Sequence, residues 1–238
     1  MADGIIGEVI ESSTQEFVAE SRELHSPPPF GSFVKVYLNG SEGGTLPNQE
    51  EDPFESFRGA AGSFNDGFHS TVSGEQPDAG QPPMNPATYA IVYQATTTPV
   101  DTGRKLRAYW KDEDQLREEQ PELSEWLLVT NFRAVIIGHC ANGALCQFLP
   151  PQPPKLLTRV HQCEAQEIAN LTYRMDFLRT LINFRNAPTE EVVAACIREA
   201  FNARNQDFDF LVKAGKELAR LLKDDYDRLH AIMRRVTP

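Results

Sequence analysis

Apolar and polar residues alternate along the first 38 residues of the chain, a pattern that is typical of β-strands with one buried face. Val9, Phe17, Phe33 and Tyr37 follow this period of two. The same β character returns in the second third of the chain. The pattern predicts six strands, at residues 5–11, 14–21, 32–38, 88–95, 131–140 and 144–150.

The last part of the chain instead repeats apolar positions every three or four residues, as amphipathic helices do. One unbroken stripe predicts a single long helix over residues 164–185. Pro188 ends that pattern, and Thr189 is a suitable N-cap for the next helix. Further helices are expected at about 206–222 and 224–235, so four short helices would pack as a small bundle. The stripe of the first helix consists of Ile168, Leu171, Met175, Leu178 and Ile182.

Composition divides the chain into two predicted domains. Residues 1–154 form a β domain with one helical interruption at 111–128, and residues 155–238 form an α-helical domain. A Gly- and Pro-rich segment at about 40–87 holds eight acidic residues and one basic residue, which predicts a flexible insertion. The prolines of 150–154 predict a stiff hinge. The predicted fold class is therefore α+β.

Charge and cysteine content narrow the classes of function. The net charge of −11 disfavours a nucleic-acid binder, because phosphate contacts need a concentrated basic surface. Four cysteines in 238 residues are not the pattern of a disulfide scaffold. The chain has neither an apolar run long enough to span a bilayer nor the features of a secretory signal. We therefore expect a cytoplasmic protein with no membrane insertion and no direct nucleic-acid contact.

The best candidate metal ligands are two histidines and three cysteines. A two-residue turn at Asn142-Gly143 pairs residue 139 with 146 and residue 140 with 145, so Cys140 and Cys146 point to opposite faces of the hairpin. No C-x-x-C motif supplies a second clamp for zinc. Buried, apolar thiols are the preferred interpretation. The five candidates are His139, Cys140, Cys146, His161 and Cys163.

Catalytic signatures are weak. Asp224, Asp225 and Asp227 could suggest a divalent-metal or acid/base site, but within one turn they fan around a helix. Asp224 is instead expected to pair with Arg228, and Asp225 or Asp224 to cap the last helix. The sequence has no G-x-S-x-G nucleophile elbow and no G-x-x-x-x-G-K-[ST] phosphate-binding loop. We therefore expect no enzymatic activity, no hydrolysis of ATP or GTP and no cofactor.

Two segments are candidates for binding a partner. Arg104, Lys105 and Arg107 follow a hydroxyl-rich turn, and this cationic group suits a phosphate or an acidic partner. The alternative is a solvated loop that balances the acidic helix after it. The insertion carries four phenylalanines, which either fold on contact with a partner or tuck over the β domain. The turn consists of Thr96, Thr97 and Thr98, and the phenylalanines are Phe54, Phe57, Phe64 and Phe68.

The opening segments GEVIESSTQEFVAES (7–21) and PPPFGSFVKV (27–36) resemble the start of the HAS barrel, which is named for HerA helicase-like ATPases and ATP synthases. The resemblance extends to cyanobacterial HAS-barrel domain proteins without a motor domain, through residues 89–109, 147–163 and 221–238. It implies an N-terminal six-stranded β-barrel followed by a C-terminal α-helical bundle, and a cyanobacterial source. It supplies no catalytic residues.

We therefore expect a non-enzymatic interaction or assembly module that binds protein partners, with self-association as a further option. The alternatives are an accessory subunit that docks on a HAS-barrel nucleic-acid-processing ATPase, and a metal-dependent enzyme that the sequence hides. Phe30 is expected in an exposed, rigid proline turn at 27–30, with the further option that its ring plugs the barrel end. The predicted partner-binding residues are Phe30, Thr96, Thr97, Thr98, Arg104 and Arg107.

Overall fold

The computed structural model describes residues 4–38, 85–101, 103, 108, 110–119, 127–141 and 143–236. The strands of these residues are β1 (Ile5–Ser12), β2 (Glu16–Ser21), β3 (Phe33–Tyr37), β4 (Ala87–Pro99), β5 (Leu128–Ala141), β6 (Ala144–Cys146) and β7 (Arg159–Gln162). The helices are α1 (Glu113–Glu119), α2 (Ala165–Leu171), α3 (Phe177–Asn183), α4 (Thr189–Ala203), α5 (Phe208–Leu221) and α6 (Tyr226–Val236). Most of the predicted insertion, and Arg104, Lys105 and Arg107, lie outside the described residues.

Six of the described strands close an antiparallel β-barrel in the order β2-β1-β7-β3-β4-β5, and β5 pairs back to β2. The fold is therefore α+β with a six-stranded barrel, as expected, and five of the six barrel strands correspond to predicted ones. The predicted strand 144–150 is the short β6, which pairs with β5 only and lies outside the ring. The sixth barrel strand is β7, which the sequence pattern missed and which follows the predicted domain boundary at residue 154.

The barrel wall separates two hydrophobic clusters. The inner cluster fills the barrel with small and branched side chains such as Val34, Ala90 and Val92. The outer cluster joins the opposite faces of the same strands, for example Phe33 and Ile91, to helices α2–α6. Because side chains alternate along a strand, β3 and β4 supply both clusters and are buried on both faces.

The predicted helix 164–185 is wrong, because two short helices occupy it. Helix α2 ends at Leu171 and α3 begins at Phe177. The side chain of Gln147 enters the break: its Nε2 donates to Leu171 O at 2.7 Å and to Arg174 O at 2.9 Å, and its Oε1 accepts from Phe177 N at 3.0 Å. One amide therefore satisfies backbone groups at both helix ends, which a continuous helix would have paired internally.

Helix α4 lies at the centre of the helical layer and packs against α2, α3, α5, α6 and the barrel strand β4. Its N-cap is Pro188, whereas Thr189 is the first helical residue and not the predicted cap. Of the predicted helix at 111–128, the described residues include α1 at Glu113–Glu119, and residues 120–126 lie outside them. None of the described helices is long and apolar enough to cross a bilayer.

Candidate functional site

Strand β4 extends beyond its pairing with β3 and continues along β5 as a ribbon, which is two-stranded from Thr97 to Pro99 because β2 pairs with β5 as far as Asn131. Strand β4 pairs with β3 only as far as Ile91, and its residues Gln94–Pro99 pair with β5 alone. Within the described chain, the other edge of this part of β4 therefore has no neighbouring strand. Residues 94–98 are all exposed to solvent, although strands of a closed barrel have no free edge.

The hydrogen-bond pattern shows which backbone groups this open edge presents. Val100 N–H donates to Leu127 O at 2.9 Å, so residue 100 directs its backbone groups toward the β5 side of the ribbon. Because these groups alternate along an antiparallel strand, Thr96 and Thr98 also face β5. The N–H and C=O groups of Ala95 and Thr97 then face the open edge, and Pro99, which has no N–H, ends it.

A β-bulge fixes the point at which the ribbon leaves the barrel. The register of β4 against β5 shifts between Val92 and Gln94, so Tyr93 is an extra residue. Its ring is 3% exposed, packs edge-on against Phe184 at 5.3 Å between centroids, and its hydroxyl donates to Glu16. Burial, together with this hydrogen bond to a carboxylate, raises the pKa of Tyr93 to about 12. The tyrosine is therefore a neutral anchor at the base of the edge.

The ribbon is also braced from its β5 side. The Oγ1 atoms of Thr97 and Thr130 lie 2.8 Å apart, and Thr130 Oγ1 accepts from His25 N at 3.0 Å. Thr130 is 2% exposed, so the chain that follows β2 holds this bond out of solvent. The edge is thus held in an extended conformation before any partner arrives, which lowers the entropic cost of binding.

The structure places two of the predicted binding elements on this edge. Thr96, Thr97 and Thr98 lie in a strand and not in the predicted turn. The proline turn departs from β4 where the edge opens, since Gly31 N donates to Val92 O at 2.8 Å. Phe30 therefore stands beside the start of the open edge. Its side chain is 44% exposed, so it does not plug the barrel.

The candidate metal ligands do not converge. The hairpin has the predicted register, with His139 opposite Cys146 and Cys140 opposite Leu145. Cys140 is fully buried in the outer cluster, whereas Cys146 is partly exposed. In the described part of the chain, no three His, Cys, Asp or Glu side chains lie close enough together to hold a metal ion.

The buried thiols are poor nucleophiles, because a thiol must lose its proton to react. Burial raises the pKa of Cys140 to about 11. Burial also raises the pKa values of Cys163 and Cys196 well above the ordinary range for a thiol. These cysteines are packing residues in the outer cluster.

A buried ion pair lies between the barrel wall and α2. Lys35 Nζ lies 2.6 Å and 2.8 Å from the two carboxylate oxygens of Glu167, and its side chain is 9% exposed. Burial alone would lower the pKa of Lys35, but the hydrogen bonds and charge of Glu167, with a smaller contribution from Tyr37, raise it. A lysine held as a cation is not a base or a nucleophile. Glu167 also accepts from Glu164 N at 2.8 Å and so caps α2, which makes the pair a structural tie.

The acidic residues before α6 are structural as well. Asp225 Oδ1 accepts from Arg228 N at 3.2 Å and caps the helix, as expected. The predicted pair between Asp224 and Arg228 is wrong, because the Arg228 guanidinium binds Glu190 at 2.5 Å and the carbonyl of Ile182 at 3.1 Å. Arg228 therefore ties α6 to α3 and α4.

No protein-family model matches the chain, and no curated protein matches it.

Proposed function

We propose that this protein is a non-enzymatic interaction or assembly module that binds an extended segment of a partner protein along the open edge of β4. The observation that carries the proposal is the stretch Gln94–Thr98, which pairs with β5 on one edge and has no described strand on the other. Its residues Ala95 and Thr97 direct their backbone groups away from β5. An added strand would pair with these groups, as in other peptide-binding sheets. The HAS-barrel resemblance is compatible with the same class, because it supplies no catalytic residues and the barrel of the motor proteins serves subunit assembly.

The chemistry of the edge suits this role. Natural proteins protect free edges with lysines, prolines or inward charges, yet residues 93–98 are uncharged and contain no proline. Three consecutive threonines favour extended structure and place hydroxyls on both faces of the ribbon. Phe30 adds an apolar contact where the edge begins. A partner segment would therefore gain backbone hydrogen bonds along the edge and one aromatic contact at its end.

Amide exchange in the free protein tests the geometry directly. We expect the amides of Thr96 and Thr98 to exchange slowly, because they bond to β5, and those of Ala95 and Thr97 to exchange quickly. Residue-resolved exchange measured by NMR distinguishes the two pairs. Equal protection of all four amides would show that the edge is covered, and the proposal would then be wrong.

A proline substitution tests the binding role. Thr97→Pro removes one open-edge N–H and the hydroxyl that bonds to Thr130, but it leaves the backbone bonds to β5, whereas Thr97→Val keeps the N–H and removes only the hydroxyl. With tagged chains in native lysate, partners of the edge should be recovered with the wild type and with Thr97→Val, and at least about fivefold less with Thr97→Pro. Circular dichroism checks that both variants fold, and Ala95→Pro gives a second variant of the same kind. Equal recovery with folded proline variants would refute the proposal.

A further inference from the structure

A cleft of about 360 Å³ opens on the helical layer, between α3 and the C-terminal end of α5. Three of its side chains are cations, one is an amide and two are aliphatic, and no acidic side chain of the described chain lines it. This lining is a local exception in a chain whose net charge is −11. The lining residues are Arg179, Ile182 and Asn183 of α3, Arg220 and Leu221 of α5, and Lys223 just after α5.

The carboxylates nearest to these cations neutralise them only in part. Arg220 donates to Glu217 through Nε at 2.9 Å and Nη2 at 2.5 Å, which uses two of the five N–H groups of the guanidinium. Lys223 Nζ lies 3.9 Å from Asp224, and both side chains are so exposed that water screens this pair. Asp176 acts on Arg220 through its charge without forming an ion pair. None of these three carboxylates lines the cleft, so a bound anion would meet the cations first.

Arg179 is the cation that the fold itself does not explain. Among the described residues it makes no ion pair, and its charge adds only a small contribution to the lowering of the pKa of Glu217, which comes mainly from Arg220. Arg179 is the third residue of α3, where the helix dipole favours an acidic side chain over a cation. Arg220, in contrast, lies in the last turn of α5, where a cation is favoured. The stability of α3 therefore gives no reason for an arginine here, whereas an anionic ligand does.

We propose that this cleft binds a small phosphorylated ligand, with its phosphate between Arg179, Arg220 and Lys223. A phosphate monoester carries up to two negative charges at neutral pH and offers three acceptor oxygens, which suits three cations from two elements better than a single carboxylate does. The volume is in the range of small-molecule sites, so space remains beside Ile182 and Leu221 for an organic group. The cleft shares no residue with the β4 edge, so either proposal can fail without the other.

Titration of the full chain with three anions, followed by residue-resolved NMR, tests this proposal. The probes are phenyl phosphate, inorganic phosphate and acetate at a constant ionic strength of about 0.1 M. Inorganic phosphate should bind at least about tenfold more tightly than acetate, and phenyl phosphate at least about threefold more tightly than inorganic phosphate. The saturable shifts should be confined to α3 and the end of α5. Equal affinity for phosphate and acetate, or shifts spread over other basic surfaces as for an adventitious ion only, would overturn the proposal.

Variants locate the binding. Arg179→Met and Lys223→Met remove one charge each and keep an apolar stem of similar length, and each should weaken phenyl phosphate binding at least about fivefold. Arg185→Met and Lys216→Met are matched controls, because these side chains are exposed, lie beside the same two helices and do not line the cleft. Their affinities should equal that of the wild type. Arg220 is left intact because it also pairs with Glu217.

Thermal melts establish that each variant is folded, and Arg179→Gln and Lys223→Gln replace any methionine variant that is not. Unchanged binding by the folded double variant Arg179→Met with Lys223→Met would overturn the proposal. An equal loss of affinity with the control variants would also overturn it, because the phosphate would then be responding to the overall charge of the chain and not to the cleft.

Discussion

The inner and outer faces of the same barrel wall are built on different principles. The inner cluster consists of valine, alanine, isoleucine and phenylalanine side chains, with no titratable group among them. The outer cluster includes Tyr89, Tyr93 and three cysteines, and the Lys35–Glu167 pair lies beside it. Apolar packing closes the barrel on the inside, whereas the outside combines packing with polar contacts that must be satisfied.

This difference explains how one wall both closes the barrel and positions the helices. Any set of side chains of suitable volume can fill a small barrel. Buried polar groups beneath a helix restrict the position of that helix more strongly, because a shifted helix would leave a buried charge or hydroxyl without a partner. Lys35 and Gln147 therefore help to fix where the helices sit on the barrel.

The largest expected effect concerns the contact between the wall and α4. Gly31 has φ +85°, and a Cβ there would lie 2.4 Å from the Cβ of Ala195. Gly31→Val should therefore lower the free energy of unfolding by about 4 kcal/mol, through backbone strain and overpacking. Gly4 has φ +60° with no neighbour within 4 Å, so Gly4→Val should cost only about 1 kcal/mol. Urea unfolding compares the two, and equal costs would show that α4 can move away from the wall.

The next largest effect concerns the buried ion pair. Lys35→Met leaves the carboxylate of Glu167 without its cation and should cost about 3 kcal/mol. The double variant Lys35→Met with Glu167→Gln should recover most of this loss, because the charge is removed and the cap acceptor stays. Lys223 and Asp224 form an exposed pair, so Lys223→Met should change stability by less than about 0.5 kcal/mol. If Lys35→Met costs no more than Lys223→Met, the pair does not tie α2 to the barrel.

Above neutral pH, the decline of stability should come from buried titrating groups of the outer face. Burial raises the pKa of Cys140 to about 11 and that of Tyr93 to about 12, above ordinary values of about 8.5 and 10. At a pH between the ordinary and the raised pKa of such a group, the unfolded chain has released a proton that the folded chain keeps. The free energy of unfolding therefore falls as pH rises through this interval. We expect each of the buried thiols Cys140, Cys163 and Cys196 to contribute a loss of about 2 kcal/mol between about pH 8 and pH 10, measured by urea unfolding.

Tyr93→Phe supplies the control for this pH dependence. It removes one titrating group, so the decline in stability above about pH 10 should become less steep. A wild-type stability that does not change between about pH 8 and pH 10 would show that the outer cluster is not sealed from water.

Local features of the fold were predictable from the sequence. The Asn142-Gly143 turn specified the hairpin register, because a two-residue turn leaves one pairing. Strand β7 was missed since it is only four residues long and its partners β1 and β3 are distant in sequence. The break between α2 and α3 was missed for a similar reason: Gln147 creates it from another element, while the apolar stripe continues across it.

The candidate site was predictable only in part. The sequence singled out Phe30 and Thr96–Thr98, but a Thr-Thr-Thr-Pro run indicated a turn where the strand continues to Pro99. The edge is open because β3 ends its pairing at Ile91, which is a property of the neighbouring strand. No sequence pattern within β4 itself indicates that this edge is open. Arg104 and Arg107 lie outside the described residues, so their role stays a prediction.

The smallest expected effect lies on the far side of the helical layer, away from both clusters of the wall. Gly215 is inside α5, where glycine costs about 1 kcal/mol relative to alanine. A Cβ there would meet only the flexible Met233 side chain at 3.5 Å, so Gly215→Ala should raise the free energy of unfolding by about 0.7 kcal/mol. Urea unfolding measures the change. A loss of stability would mean that the space between Gly215 and the Met233 side chain is already filled in the free protein.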